Sequence, residues 1–261
     1  MTTSLSSVWI YRASLIAGLL LGCTRPGEGP PPDAMRLTSA ALAPAVFLDG
    51  KLIPVNWDDG DTFSTPDRAI RARLAGYNTL ESYGPVHRWG GWTAAELYLL
   101  AKAAGARART EVWTCTTQAG GGGYGRQSVD CPDLRRALLQ EGLAHTFSVE
   151  GKASAEDQAL QAQAMEDGVG IWAEGVPAGI VTSLHSLDER EGAAQTYDRV
   201  CSTATGAASK TSHAQTYAAC SEVCRSGSCL VYVPYSLRYG ESRADCLRPS
   251  AAAAPANQQA N

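Results

Sequence analysis

The sequence lacks an excess of positive charge. Its 261 residues include 22 Lys and Arg against 26 Asp and Glu, which gives a formal net charge of −4. Proteins that coat nucleic acid without sequence preference are usually basic, so this balance argues against that class. Charged residues amount to only 18%, whereas hydrophobic residues reach 44%, and this composition excludes a wholly disordered chain. The length is sufficient for one or two domains with a buried core.

Long apolar runs, closely spaced histidines and a phosphate-loop signature are missing as well. Apart from one short N-terminal stretch, no apolar run reaches the length that a membrane-spanning helix needs. The four histidines are too scattered to suggest a metal-binding pair: His87, His145, His185 and His213. The glycine run at residues 120–123 is not followed by Lys and Ser or Thr, so it does not indicate a phosphate-binding loop.

The short N-terminal stretch is typical of a secretion signal. Residues 13–22 follow Arg12, and these apolar or small residues are too few to span a bilayer but suit a signal-peptide core. The core ends in Leu-Leu-Gly-Cys at residues 20–23, which resembles the lipobox of bacterial lipoproteins and implies a lipid on Cys23. Because Thr24 rather than Asp follows, the resemblance favours an outer-membrane lipoprotein of the cell envelope, facing the periplasm or the exterior. The alternative is a plain cleaved signal, a secreted protein and an incidental thiol at Cys23.

Composition divides the chain into five segments. They are a signal peptide at 1–22, a Pro- and Ala-rich tether at 23–44, a globular region at 45–174, a Cys-rich extension at 175–249 and a tail predicted to be disordered at 250–261. Eight cysteines are more than a cytosolic protein of this length normally contains. They point to an oxidising compartment or to a metal site.

Hydrophobic alternation predicts strands in the globular region. Residues 46–55 contain the hairpin turn signal Asp49-Gly50. Residues 69–75 alternate apolar and basic side chains, as a strand with one buried face does. A second hairpin is predicted around the glycine run, between residues 111–115 and 127–129.

Helical periodicity appears in three stretches. The predicted helices cover residues 92–104, with Gly105 as the end signal, 133–140 and 156–166. Strands come first and helices are interspersed later, with hairpins rather than long crossovers between strands. This order predicts an α+β fold built on a small antiparallel barrel.

Four short motifs follow one another across the globular region. They are Asp-Gly-Asp-Thr at 59–62, Arg-Leu-Ala-Gly-Tyr-Asn-Thr-Leu-Glu at 73–81, Tyr-Gly-Arg at 124–126 and Glu-Gly-Leu-Ala at 141–144. In this order and spacing they resemble the staphylococcal nuclease (thermonuclease) family over about half of the chain. Each motif alone is a weak signal, and four in series are specific. The resemblance implies a five-stranded OB-fold β-barrel with about three helices and calcium-dependent hydrolysis of phosphodiesters in DNA and RNA.

The resemblance implies roles for the residues that match the motifs. Glu81 matches the general base that orients or deprotonates the attacking water. Arg73 and Arg126 match two guanidinium groups that bind phosphate, whose oxygens suit the planar fork of arginine. Tyr124, in the third motif, is expected to contact the substrate. The implied catalytic set is therefore Glu81, Arg73 and Arg126.

One calcium ion is implied as the cofactor. Its expected ligands are the Asp61 carboxylate, the Asn78 side chain and the Thr79 backbone carbonyl, all oxygen donors that suit a hard cation. The family pattern has Asp where this chain has Asn78, so one negative charge is missing and we expect weaker calcium binding. Asp58 and Asp59 lie near enough in sequence to compensate.

Other departures from the family pattern concern shape and substrate contact. Leu80 replaces a proline, and Gly122 stands where an Asp commonly precedes Tyr-Gly-Arg. Ser148 and Glu150 occupy positions where the prototype has tyrosines around the nucleotide. Acidic residues also outnumber basic ones in the globular region, which is unfavourable for gripping long nucleic acid. The expected partners are therefore single-stranded or flexible DNA or RNA.

The cysteines fall into separate groups. Cys115 and Cys131 are equidistant from Gly123, the centre of the predicted hairpin, so we expect them to face each other as a disulfide. The extension holds five further cysteines: Cys201, Cys220, Cys224, Cys229 and Cys246. The last four either form two disulfides, in any of three pairings, or bind zinc, and the secretion signal favours disulfides. Cys201 is then left as a buried free thiol.

The sequence thus predicts a calcium-dependent, nuclease-like phosphodiesterase that hydrolyses DNA and/or RNA and is anchored to a membrane by lipid. No protein partner can be inferred. The alternative is a nuclease-fold binding or structural module whose catalytic activity is weakened or lost. The missing charge at Asn78 and the acidic surface motivate this alternative.

Overall fold

A computed structural model describes residues 44–249 of the chain. In this range the protein has a mixed α+β fold with three α-helices and a nearly closed, barrel-like sheet, as the order of predicted elements indicated. The described residues belong to one compact unit. None of the helices in residues 44–249 combines the length and the hydropathy needed to cross a bilayer. The signal peptide, Cys23 and the C-terminal tail lie outside the described residues.

Short strands dominate the fold. In chain order they are β1 Ala45–Leu48, β2 Lys51–Pro54, β3 Asn56–Trp57, β4 Thr62–Ser64, β5 Arg71–Leu74, β6 Tyr77–Thr79, β7 His87–Trp89, β8 Trp113–Gly121, β9 Gln127–Asp130, β10 Ala144–Thr146, β11 Gly179–Ser183, β12 Thr196–Ser202, β13 Ala208–His213, β14 Glu222–Arg225 and β15 Ser228–Val231. The helices are α1 Ala94–Ala108, α2 Pro132–Gln140 and α3 Ala155–Glu166. Short 3-10 turns cover Gly170–Trp172, Leu187–Glu189, Tyr235–Leu237 and Asp245–Leu247.

The main sheet has seven strands in the order β2-β1-β8-β9-β5-β4-β3. Its two edge strands, β2 and β3, are separated in the chain only by Val55, so the backbone itself links the two ends of the sheet. This connection curls the sheet into a nearly closed barrel. The prediction of a purely antiparallel barrel is wrong, because β1 pairs with β8 and β5 pairs with β9 in parallel. Parallel neighbours need a long crossover, and the chain between both pairs contains α1.

The predicted strand patterns are confirmed. The turn at Asp49 and Gly50 joins β1 to β2, and both residues have positive φ, 50° and 79°, as a tight hairpin turn requires. In β5, Ala72 and Leu74 are buried in the barrel core, whereas Arg71 is exposed. Period-two alternation therefore identified the buried face of this strand correctly.

The predicted end of the first helix is wrong. The helix α1 begins after Thr93, whose hydroxyl oxygen accepts from the backbone N–H of Glu96, and it continues through Gly105 to Ala108. Gly105 is buried inside the helix, and a Cβ there would lie 3.5 Å from the Cα of Asp59. At Gly105 α1 therefore packs on the turn before β4 at ordinary van der Waals distance, and the helix does not end there. The predictions of α2 and α3 are confirmed to within one residue at their starts.

The extension is attached to the globular region by a shared sheet. Strand β15 pairs with β14 on one side and with β7 on the other, where Leu230 lies opposite His87. The segment before β7 also contributes Tyr83 and Val86 to an apolar cluster with residues of the extension such as Val233 and Leu247. The loop between β6 and β7 is therefore covered by the extension.

Three disulfides are present in residues 44–249. Cys115–Cys131 joins β8 to the start of α2, as predicted from the hairpin register. Cys220–Cys246 and Cys224–Cys229 join the four later cysteines, which decides among the three possible pairings and leaves no thiolate there for zinc. Cys201 is a buried free thiol, as expected.

Candidate active site

Asp61 lies at the tight turn that leads into β4. Its side chain is buried, and the turn approaches α1 so closely that a Cβ at Gly60 would lie 3.0 Å from the Cβ of Ala104. Asp61 Oδ1 accepts from the hydroxyl of Thr62 at 3.0 Å. Asp61 Oδ2 accepts from the backbone N–H of Thr79 at 2.7 Å and from its hydroxyl at 3.2 Å. The Asp-Gly-Asp-Thr turn and β6 are thus held together through one carboxylate.

Arg73 connects this carboxylate to Asn78. The register of β4 and β5 places Arg73 opposite Thr62, so the guanidinium reaches the turn. Arg73 Nη1 donates to Asp61 Oδ1, and Arg73 Nη2 donates to Asn78 Oδ1. Burial disfavours the charged guanidinium, but the carboxylates around it, above all Asp61, raise the pKa of Arg73 overall. A positive charge is therefore already stabilised between the two side chains predicted to bind a cation.

Glu81 lies two residues beyond β6. Its backbone N–H donates to Nε2 of His87 at 3.2 Å, which fixes the loop that carries it. Burial raises the pKa of the Glu81 carboxyl, the charge of Asp61 raises it further, and the guanidinium groups of Arg73 and Arg126 oppose the increase. Glu81 therefore lies within electrostatic range of Asp61 and of both arginines. A carboxylate with a raised pKa is a stronger base near neutral pH.

Arg126 lies in the hairpin between β8 and β9. Its backbone carbonyl accepts from the N–H of Gly122 at 2.8 Å, and a Cβ at Gly122 would lie 2.8 Å from Arg73 Cβ and 3.3 Å from Arg126 Cβ. Glycine at this position therefore lets the two arginines lie side by side, and the acidic side chain of the family pattern does not fit here without movement. Burial and the charge of Arg73 lower the pKa of Arg126.

Tyr124 lies at the tip of the same hairpin. Its ring is 81% exposed, and Arg126 Cζ is 5.8 Å from the ring centroid. Its φ of 52° is in the left-handed region, as the tight turn demands. The ring is thus at the rim of the site rather than inside it.

The structure brings the predicted site residues together. Asp61, Asn78 and Thr79 meet through hydrogen bonds, and the remaining three charged groups, Arg73, Glu81 and Arg126, interact electrostatically around them. They come from the turn before β4, from β5, from β6 and the loop after it, and from the β8–β9 hairpin. The main sheet and the separate β6–β10 pair therefore assemble them together. Motifs up to 65 residues apart in the sequence therefore form one site.

Asp59 belongs to this site more closely than its sequence position indicated. Its Oδ1 accepts from the backbone N–H of Asp61 at 2.9 Å. Burial, followed by the nearby charge of Asp61, raises the pKa of Asp59 well above its ordinary value. Asp58, the other expected compensating residue, is exposed.

Two buried histidines lie near the site, and the sequence indicated no role for them. His87 supports the backbone of Glu81, and His145 lies opposite Asn78 in the pairing of β10 with β6. Burial lowers the pKa of His87 to about 3 and that of His145 to about 4, so both rings are neutral at physiological pH. The scattered positions gave no metal-binding signal, and only the inward-facing place of His87 in the alternation His87-Arg88-Trp89 pointed to a structural role.

The donor set fits a hard cation. Asp61 and Asn78 present oxygen atoms that converge on a positive charge, the guanidinium of Arg73. The carboxyl groups of Asp59 and Glu81 have raised pKa values close to Asp61, so an additional cation would stabilise their charged forms. Calcium accepts such carboxylate and amide oxygens at variable geometry.

A second cluster consists of residues whose side chains commonly bind metal ions, but it does not form a metal site. Glu222, Cys224 and Cys229 come within ligand distance of one another, but the two sulfur atoms form a disulfide. A groove of about 380 Å³ lies beside this cluster, and its lining residues, which include Tyr217 and Arg225, contain none of the predicted site residues. In comparisons with known proteins, no protein-family model and no curated protein sequence matches this chain.

Proposed function

We propose that the protein is a calcium-dependent, nuclease-like phosphodiesterase that hydrolyses DNA and/or RNA. The observation that carries the proposal is that Arg73 binds Asp61, that Arg126 lies beside Arg73 across Gly122, and that Glu81 lies within electrostatic range of these groups. These residues follow the chain order of the thermonuclease motifs. A phosphodiester is an anion attacked by water, so its hydrolysis needs charge neutralisation and an activated water. Two arginines and a base with a raised pKa are the groups that this chemistry requires.

We further propose that the barrel is the five-stranded OB-fold of this family. In this interpretation β2 and β3 form one interrupted first strand, β1 is its hairpin partner, and β4, β5, β8 and β9 are the other four. The order of the main sheet and its two parallel pairs support it, because the fourth strand, β8, lies beside β1 of the first hairpin and the fifth strand, β9, lies beside the third, β5.

In this proposal each site residue has its own role in hydrolysis. Arg73 and Arg126 bind the phosphate oxygens and stabilise the charge that develops on them in the transition state. Glu81 orients a water for in-line attack and accepts its proton. Asp61 and Asn78 would hold calcium, together with the Thr79 carbonyl, and the bound ion would supply further neutralisation of the phosphate. Asp61 also holds the Arg73 guanidinium in place before the substrate binds.

The same proposal includes location at the cell envelope through a lipid on Cys23. Three disulfides in residues 44–249 support an oxidising compartment such as the periplasm or the exterior. The lipobox lies outside the described residues and supports the anchor by its sequence alone.

A second candidate is a nuclease-fold binding module without turnover. The bond from Arg73 to Asn78 favours it, because the guanidinium already occupies the oxygen that the implied metal ion would use. The loss of one carboxylate at Asn78 weakens the competition of calcium for this position.

The variant Glu81→Gln tests the enzymatic proposal. Loss of a general base typically lowers the rate about 10²–10⁴-fold, so we expect calcium-dependent cleavage of single-stranded DNA and RNA to fall by that factor. Cleavage is measured on purified protein with calcium and with a chelator. Glu166→Gln is the matched control, since Glu166 is exposed at the end of α3 and we expect full activity. Cleavage that survives the chelator or the loss of Glu81 would contradict the mechanism.

A further inference from the structure

The C-terminal extension places an aromatic surface next to the candidate active site. We propose that Tyr235 and Tyr239 form a base-stacking subsite, with Arg238 as its phosphate contact, for a single strand of nucleic acid that reaches Glu81. This inference rests on the proposed function and names the part of the chain that holds the substrate beside the scissile bond.

The two tyrosines are exposed but are not isolated. Tyr235 is 74% exposed and Tyr239 is 58% exposed. The ring centroid of Tyr239 lies 6.0 Å from that of Tyr235 and 6.2 Å from that of Tyr83, which is buried. Tyr239 thus packs between the exposed ring of Tyr235 and the buried ring of Tyr83, and neighbouring exposed aromatics of this kind are typical of interaction sites.

Tyr83 connects this surface to the catalytic loop, the loop between β6 and β7 that carries Glu81, because Tyr83 follows Glu81 by two residues. The pKa of Tyr83 is raised by burial and by the charge of Glu81. The pKa of Tyr239 is likewise raised by burial and then by Glu81. Of the two exposed rings, that of Tyr239 therefore lies within electrostatic range of the carboxylate that would activate water.

Arg238 adds a positive charge at this place. Its guanidinium carbon lies 4.9 Å from the ring centroid of Tyr83, and its Nε donates to the carbonyl of Val233 at 2.9 Å. Within residues 44–249 no carboxylate forms an ion pair with Arg238. A cation fixed by stacking and without a carboxylate partner is suited to a phosphate oxygen.

The segment that carries these residues is fixed to the catalytic loop. Arg243 Nη2 donates to the carbonyls of Tyr83 and Leu247. Leu247 is fully buried against Gly84, where a Cβ would lie 2.8 Å from the Leu247 side chain, and the Cys220–Cys246 disulfide ties the same stretch to the extension. A surface held in this way loses little conformational freedom when a ligand binds.

The chemistry of the surface favours a single strand over a duplex. Bases in a single strand expose their faces, and stacking on a tyrosine tolerates any base, whereas duplex bases are stacked on one another. Arg73, Arg126 and Arg238 provide separate cations for successive phosphates rather than a continuous basic face. This pattern also agrees with the net charge of −4.

The test compares Tyr235→Ala/Tyr239→Ala with Tyr235→Phe/Tyr239→Phe, both in full-length protein carrying Glu81→Gln so that bound strands persist. Fluorescence anisotropy measures the affinity for labelled single-stranded DNA and RNA and for abasic strands of the same length. We expect the alanine pair to bind ordinary strands about tenfold more weakly and the phenylalanine pair to bind within twofold of the parent. We expect abasic strands to show no difference between the two pairs.

Equal affinities of the alanine and phenylalanine pairs for ordinary strands, or an equal loss on abasic strands, would overturn the proposal. If the alanine pair does not fold, Tyr235→Ala alone is measured, since this ring is the more exposed of the two. Calcium-dependent cleavage by the parent with Glu81 intact is recorded separately. Base-dependent binding without cleavage would refute the enzymatic function but support the subsite, and the DNA and RNA arms show which strand it prefers.

Discussion

At the scale of single residues, Asn78 sets the charge balance of the candidate site. Its side-chain oxygen accepts from Arg73, whose other nitrogen donates to Asp61. The arginine therefore bridges one charged and one neutral acceptor. In the proposed calcium site this neutral acceptor stands where the family pattern has a carboxylate, so it would limit how strongly the site attracts a divalent cation.

We predict that Asn78→Asp increases calcium affinity at least about tenfold, which corresponds to about 1.4 kcal/mol. The added carboxylate faces a 2+ ion and replaces a neutral ligand in a buried place. Isothermal titration calorimetry with calcium measures the change. Asn56→Asp is the matched control, because Asn56 is exposed on β3 and we expect no change there. A site that gains neither affinity nor cleavage rate would indicate the binding module without turnover.

The sequence could predict the residues that carry charge but not their supports. Asp61, Arg73 and Glu81 follow from motif order, since each motif fixes a residue type at a fixed place in the barrel. His87 could not be predicted as a support of Glu81, because its hydrogen bond depends on the path of the loop between β6 and β7. Asp59 was recognisable as a neighbour of Asp61, but its raised pKa depends on burial in the folded protein and then on the charge of Asp61.

At the scale of elements, the β8–β9 hairpin decides where Arg126 lies. Its register pairs Thr116 with Asp130 and then shifts before Gly121, which pairs with Gln127. Equal spacing from Gly123 predicted the Cys115–Cys131 disulfide because the register near the hairpin base is regular. It could not predict the shift, which lies between Thr117 and Gly121, where the glycine run begins.

We predict that Cys115→Ala/Cys131→Ala lowers the free energy of unfolding by about 3 kcal/mol, because the bond closes a loop with a sequence separation of 16. Urea denaturation measures the loss. Cys224→Ala/Cys229→Ala is the matched control, and its shorter separation of 5 predicts a smaller loss, about 2 kcal/mol. Cleavage should also fall in the first variant only, since that bond alone anchors the hairpin of Arg126. An equal effect of both variants on cleavage would contradict this role.

Long-range pairing is the part of the fold that local patterns missed. Alternation located β5 and the hairpin of β1 with β2, but the parallel pairs β1–β8 and β5–β9 join strands on either side of α1. Gly105 was misread for the same reason, because its neighbour across the helix surface, Asp59, is distant in sequence. A glycine can lie inside a helix that packs on a neighbouring turn, or it can lie at a helix end. The local sequence does not distinguish the two cases.

At the scale of the whole molecule, the extension affects what the acidic composition implies for nucleic-acid binding. The net charge of −4 argues against extended electrostatic contact with nucleic acid. The extension nevertheless lies against the loop of Glu81 through the pairing of β15 with β7 and brings Arg238 to the site. Binding by a few cations and stacked rings is compatible with an acidic protein, whereas binding by a basic face is not.

We therefore predict a shallow dependence of nucleic-acid affinity on salt. Each phosphate neutralised on a single strand contributes about −0.7 to the slope of log affinity against log salt, so three arginine contacts give a slope of about −2. Anisotropy titrations of single-stranded DNA between low and high salt measure this slope in full-length protein carrying Glu81→Gln.

The variant Arg238→Gln should reduce the magnitude of the slope by about 0.7. Arg190→Gln is the matched control, since this exposed arginine also lies over a tyrosine ring, 5.7 Å from Tyr197, but in another part of the extension. A slope steeper than about −5 would mean that a broad basic surface binds the strand, and an unchanged slope in Arg238→Gln would remove Arg238 from the phosphate contacts.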